Sequence, residues 1–130
     1  MSTHGTQVKI LGKGNPTILG DPAQVERMLA SLVQAVGMRV LAGPLMIDVD
    51  LAIEKLGVEP FEDEGGVTGA VVLSTSHATV HTWPLREFFV LDLYSCREFW
   101  PSVVVDHVAA SFEAYDVVMH DLSFSLVYPA

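Results

Sequence analysis

"VTGAVVLSTSHATVHTWPLREFFVLDLYS", residues 67–95, decides the fold. It contains three runs, 67–74, 77–83 and 86–95, dense in β-branched and aromatic residues and parted by short polar breaks. That composition suits a pleated surface buried on one side, so the runs read as neighbouring antiparallel strands.

Outward from this block the chain alternates between strands and helices. Residues 7–12, "QVKILG", read as an opening strand. Asp21 is a good helix N-cap, Pro22 fits the first helical position, and Gln24 completes a capping-box-like pattern. Val25, Met28, Leu29, Leu32, Val33 and Val36 then fall on one stripe, and Gly37 can end the helix. "MRVLAG" returns as a strand before Pro44, and a short helix is expected from Leu51 to Leu56 with Asp50 as cap and Gly57 as stop. The acidic stretch Glu62 to Gly66 reads as a loop. A second amphipathic helix covers 101–113, with Val104, Val105, Val108 and Phe112 on one face. A last strand follows, in which Leu122, Phe124 and Leu126 alternate with Ser123 and Ser125. The expected fold is α+β: a two-layer sandwich, an antiparallel sheet with two helices on one face, forming a single domain over residues 1–130.

Composition narrows the function. Half of the 130 residues are hydrophobic, which argues against disorder and for either a large core or a subunit interface. A formal charge of −9 argues against non-specific binding to nucleic acid or to an anionic membrane, and suits a cationic small substrate. The opening "MSTHGTQVKI" has no secretory pattern, and no apolar run approaches the length of a membrane span. A lone cysteine, Cys96, cannot close an intrachain disulfide. The expectation is a soluble, cytoplasmic protein.

Within the central block, "STSHATVHTWP" (74–84) gathers hydroxyls and two histidines. One reading makes His77 and His81 ordinary strand residues. A metal reading joins them with Cys96. However, the four-residue spacing of a metal pair belongs to a helix, the stretch is β-branched, and there is neither an HExxH glutamate nor a second cysteine. No metal is expected.

A third reading comes from resemblance. Ser76, His77, His81, Thr82, Trp83, Pro84, Asp92 and Cys96 stand in the register of the small bacterial and archaeal S-adenosylmethionine decarboxylases, which are pyruvoyl-dependent. The resemblance implies a self-cleaving proenzyme. The Ser76 hydroxyl would attack the Thr75 carbonyl, and β-elimination of the resulting ester would break the chain between 75 and 76. The serine would be left as a covalent pyruvoyl group. It further implies that His81 moves protons during processing, that Thr68 steadies the oxyanion-like intermediate, and that Cys96 donates a proton to the decarboxylated substrate. A homodimer with sites near the subunit interface is implied too, acting on a cationic amino-acid substrate in polyamine synthesis.

Three features depart from the family pattern. Thr75 replaces a glutamate, Leu85 replaces the glutamate that holds the substrate ribose, and the acidic 45–66 region is longer. Trp83, Leu85 and Glu62 are the substrate-binding candidates. Family members that decarboxylate arginine or ornithine, and a non-processing homologue with a binding or regulatory role, remain alternatives.

Overall fold

The computed structural model describes residues 4–126; the ends of the expected domain, 1–3 and 127–130, lie outside the described residues. The elements are β1 (His4–Lys13), α1 (Pro16–Leu19), α2 (Pro22–Ala35), β2 (Val40–Asp48), α3 (Val49–Leu56), β3 (Val67–Leu73), β4 (Ser76–Trp83), β5 (Phe88–Ser95), α4 (Pro101–Phe112), β6 (Tyr115–Asp121) and the two-residue β7 (Phe124–Ser125). A single 3-10 turn, Pro84–Arg86, links β4 to β5.

Every strand pair is antiparallel, in the order β2-β3-β4-β5-β1-β6, with β7 beside the start of β1. The three runs expected from residues 67–95 are β3, β4 and β5, consecutive neighbours in the sheet. Their alternating burial sends Val67, Val71, Leu73, Ala78, Val80, Phe89, Leu91 and Leu93 to one face, where they join Val8 and Ile10 of β1. Against that face lie the α2 stripe (Val25, Met28, Leu29, Leu32, Val33) and Val104, Val108 and Phe112 of α4. Phe89 and Phe112 meet edge to face with centroids 5.0 Å apart, tying sheet to helix at the centre of the core.

Asp21 caps α2 by accepting from the Ala23 N–H at 3.0 Å, and Gln24 Nε2 donates to the same carboxylate. Gly37 stops the helix with φ +70°. Elsewhere the local expectations shift. The α3 cap is Asp48, which accepts from the Leu51 N–H at 3.1 Å; Asp50 turns instead to the Gly66 N–H at 3.2 Å. Strand β2 does not stop at Pro44 but continues to Asp48 through two register shifts. As an edge strand it tolerates a residue with no N–H to donate. Residues 16–19 make a short helix capped by Asn15, whose side chain accepts from the Thr17 N–H.

The largest difference is at the end of the chain. The strand expected over 122–126 shrinks to Phe124–Ser125, while Tyr115–Asp121 forms β6, which had no expected counterpart. Strand β6 is exposed along nearly its whole length, so it carries little of the alternation by which a half-buried strand is recognised.

Thr82 holds the sandwich together from inside. It is buried, its hydroxyl donates to the Leu19 carbonyl at 2.7 Å, and it accepts from the Val67 N–H at 3.0 Å. Next to it, Gly66 adopts φ +74°, and a Cβ there would collide with the Thr82 carbonyl, so only glycine fits. Thr82→Val keeps the shape but orphans a buried donor and a buried acceptor. Urea unfolding is expected to show a loss of about 2–4 kcal/mol, because each unpaired buried polar group costs roughly 1–3 kcal/mol.

Candidate active site

The β3–β4 hairpin turns through Ser74 and Thr75, with Leu73 paired to Ser76. Thr75 takes φ +50°. This left-handed region suits glycine or asparagine, and a β-branched residue there stores on the order of 1–2 kcal/mol of strain. The strain is thus concentrated at the Thr75–Ser76 peptide.

Cys96, one residue past the end of β5, faces this turn. Its backbone N–H donates to Ser76 Oγ at 3.2 Å, and the Ser76 hydroxyl in turn points at Cys96 Sγ, 3.9 Å away. Thr75 Oγ1 lies 2.7 Å from Cys96 Sγ and 2.8 Å from the Ser74 carbonyl oxygen, so its one proton can be donated to either. The thiol pKa is held below its ordinary value chiefly by the Thr75 hydroxyl, with the Ser76 hydroxyl and the Arg97 charge acting in the same direction and desolvation opposing them. A lowered thiol pKa gives Cys96 more thiolate character near neutral pH than a free cysteine has. In an uncleavable Ser76→Ala background, Thr75→Ala is expected to move the midpoint of Cys96 alkylation by iodoacetamide to higher pH. An unmoved midpoint would show that the Thr75 contact does not tune the thiol.

These residues line a cleft of about 450 Å³ with Ser74, Ser95, Gly37, Met38 and the arginines Arg39 and Arg97. The sequence singled out neither arginine. Arg97 follows Cys96 directly and was open to suspicion, whereas only the tertiary fold brings the α2–β2 connection to the hairpin, where the Ser74 N–H donates to the Arg39 carbonyl at 2.9 Å.

His81 and Thr68 form a second cluster. They face each other across β3 and β4, with Thr68 Oγ1 3.0 Å from His81 Nδ1. The His81 ring also lies 6.4 Å from that of Trp83, between centroids. Both side chains sit on the sheet face opposite the helices. Ser76 and His81 are five positions apart on β4, and an odd separation along a strand sends side chains to opposite faces. At a rise of ~3.3 Å per residue the two lie roughly 16 Å apart along the strand. The fold therefore unites Thr75, Ser76 and Cys96, and separately Thr68 and His81, but does not bring the two groups together within one chain.

The substrate-binding candidates occupy a third place. Trp83 donates its indole N–H to the Asp63 carbonyl at 2.7 Å and packs on Phe88. Leu85 is fully exposed on the 3-10 turn. Both border a cleft of about 310 Å³ with Asp50, Asp63, Glu64 and Arg86. Glu62 is exposed on the loop above and lines neither cleft. Asp92, on the face opposite the helices, accepts a 2.9 Å ion pair from Lys9. Among the described residues no helix is long and apolar enough to cross a membrane.

Comparison with known proteins agrees with the geometry. The chain resembles an S-adenosylmethionine decarboxylase proenzyme of Pyrococcus horikoshii, 42% identical over 50 residues, which are 38% of this chain and 36% of that relative. The aligned stretch is thus little more than a third of that relative's length. A proenzyme of the same description from Thermodesulfovibrio yellowstonii is 28% identical over 111 residues, 84% of this chain and 72% of its own. The crystal structure of the adenosylmethionine decarboxylase from Aquifex aeolicus superposes with a TM-score of 0.71 at 16% identity, covering 99% of this chain and 96% of the other, a match of fold. The S-adenosylmethionine decarboxylase family model spans residues 10–123, from within β1 to just past β6 and across every cluster described above. A family model matched over 114 of the 130 residues places the chain in the S-adenosylmethionine decarboxylase family.

Proposed function

We propose that the chain is a self-cleaving, pyruvoyl-dependent S-adenosylmethionine decarboxylase acting in the cytoplasm in polyamine synthesis. The observation that carries this reading is the hairpin, in which the Ser76 hydroxyl is held by Cys96 beside the left-handed Thr75. In the processing step Ser76 Oγ forms a bond to the Thr75 carbonyl carbon and the peptide C–N bond breaks, giving an ester. Removal of the Ser76 Cα proton then expels the Thr75 carboxylate and leaves dehydroalanine, which water converts to a ketone with loss of ammonia.

The residues present suit the group so formed: its carbon skeleton comes from Ser76, and the adjoining cleft is large enough for a small amino acid. A pyruvoyl group supplies a ketone that condenses with an amine and draws electrons from the bond to the leaving carboxylate. Cys96 stands beside that carbon with a thiol able to return a proton to the substrate.

The separation of the two polar clusters supports a homodimer. Thr68 and His81 can serve Ser76 only if a second copy brings them. The face they occupy is also apolar: Leu45, Ile47, Val72, Val118 and Phe124 are all more than a third exposed. Two such sheets packed face to face would bury this surface and pair each hairpin with the other copy's histidine.

A second reading keeps the chemistry and changes the substrate. Leu85 cannot accept hydrogen bonds from ribose hydroxyls, which favours a smaller amino acid such as arginine or ornithine. Assay of carbon dioxide release from S-adenosylmethionine, arginine and ornithine distinguishes the readings. Turnover of S-adenosylmethionine is expected, and turnover of arginine or ornithine alone would replace it with the second reading.

A further inference from the structure

The cleft at Ser76 has an unusual charge for this molecule. The chain carries 16 acidic and 7 basic residues, yet two of those 7, Arg39 and Arg97, line the cleft and no carboxylate among the described residues does. Neither arginine has an ion-pair partner among the described residues, where the ion pairs are Lys9–Asp92 and Arg86–Asp63. The 310 Å³ cleft near Leu85 has the opposite character, with Asp50, Asp63 and Glu64 around one arginine already bound to Asp63.

Arg39 is anchored at the hairpin through its backbone, and Arg97 at the end of β5. The Arg39 carbonyl accepts from the Ser74 N–H at 2.9 Å, and the Arg97 N–H donates to Ser95 Oγ at 2.9 Å. The charge of Arg97 reaches the site, since it helps to lower the pKa of the neighbouring Cys96 thiol. A guanidinium presents a planar fork that matches a carboxylate.

Resting on the decarboxylase reading, we propose that Arg39 and Arg97 bind the carboxylate of the amino-acid substrate and orient it at position 76. The amine and the carboxylate sit on one substrate carbon, so an amine directed to residue 76 carries its carboxylate to within reach of these side chains. The same charges repel a sulfonium or another cation at the far end of the substrate and turn that end out of the cleft. An acidic protein with a cationic substrate thus keeps one positive corner, and that corner fixes which end enters.

The contact is made to a charge that disappears as carbon dioxide forms. It therefore binds the ground state more tightly than the transition state, and its loss raises KM without lowering kcat. The test uses Arg39→Ala, Arg97→Ala and the double variant as full chains, each checked for cleavage by intact mass. Steady-state kinetics with S-adenosylmethionine are compared with the binding of decarboxylated S-adenosylmethionine, which has the same amine and sulfonium but no carboxylate.

Each single substitution is expected to raise KM about tenfold or more, the usual worth of a hydrogen bond to a charged group. Values of kcat should be held or rise, binding of the decarboxylated compound should be unchanged, and the lysine variants should recover part of the loss. Unchanged KM, or equal weakening of both compounds, overturns the proposal while leaving the decarboxylase reading intact. A wild-type chain that neither cleaves nor turns over substrate sinks both. If an alanine variant stays uncleaved, Arg39→Met and Arg97→Met, which keep the apolar stem, carry the same comparison.

Discussion

Ser76→Ala is expected to yield a single uncut chain of 14.1 kDa with no decarboxylase activity above background. The substitution removes the hydroxyl proposed to attack the Thr75 carbonyl and, with it, the proposed source of the pyruvoyl ketone. It should cost little stability, because Ser76 is only half-buried and its main contacts are to Cys96. The variant should therefore unfold in urea near the wild-type midpoint. Full decarboxylase activity in this variant would show that the reaction does not depend on residue 76.

The second large effect concerns the partition of the site between two copies. His81→Ala alone should block or strongly slow processing, because the histidine proposed to move protons would be gone from both sites of the proposed homodimer. Co-expression of His81→Ala with Ser76→Ala should restore function. In a mixed dimer, one site combines Ser76 from one chain with His81 from the other. Random pairing predicts about a quarter of the wild-type number of sites. Such rescue is impossible if Ser76 and His81 act within one chain, so its absence, with both variants folded and mixed dimers present, would refute the shared site. The prediction follows from the odd spacing of the two residues along β4 and their roughly 16 Å separation.

That spacing was visible in the sequence. "HATVHTW" alternates as a strand should, so its histidines were bound to share one face, while Ser76 had to lie on the other. Reading Ser76, His81 and Cys96 as one motif obscured the consequence, because a motif records positions in a line and not faces of a sheet. The α2 helix was legible for the opposite reason: its cap, stripe and stop are all local, and Asp21, the Val25–Val33 set and Gly37 each act within a few residues. Asp48 and Asp50 were harder to separate, since two carboxylates two residues apart both precede a helical run and only the tertiary contact to Gly66 draws Asp50 away. Strand β6 was hidden by exposure on both faces. Arg39 was hidden by distance, because nothing in its own neighbourhood points to a hairpin that lies 35 residues further along the chain.

The family pattern and the local structure also pull apart in an informative way. Thr75 stands where the family has glutamate, and it combines a left-handed backbone with a hydroxyl that helps to hold the Cys96 thiol pKa down. Leu85, by contrast, projects fully into solvent and brings no hydrogen-bonding group. The proposed role of the arginines beside Ser76 concerns the end of the substrate that all of these amino acids share.

The most direct measurement is an intact-mass spectrum of the purified wild-type protein before and after prolonged incubation. The account predicts two fragments divided between Thr75 and Ser76, the C-terminal one blocked to Edman sequencing because it begins with a ketone. A single mass for the whole chain, unchanged on incubation, would contradict it.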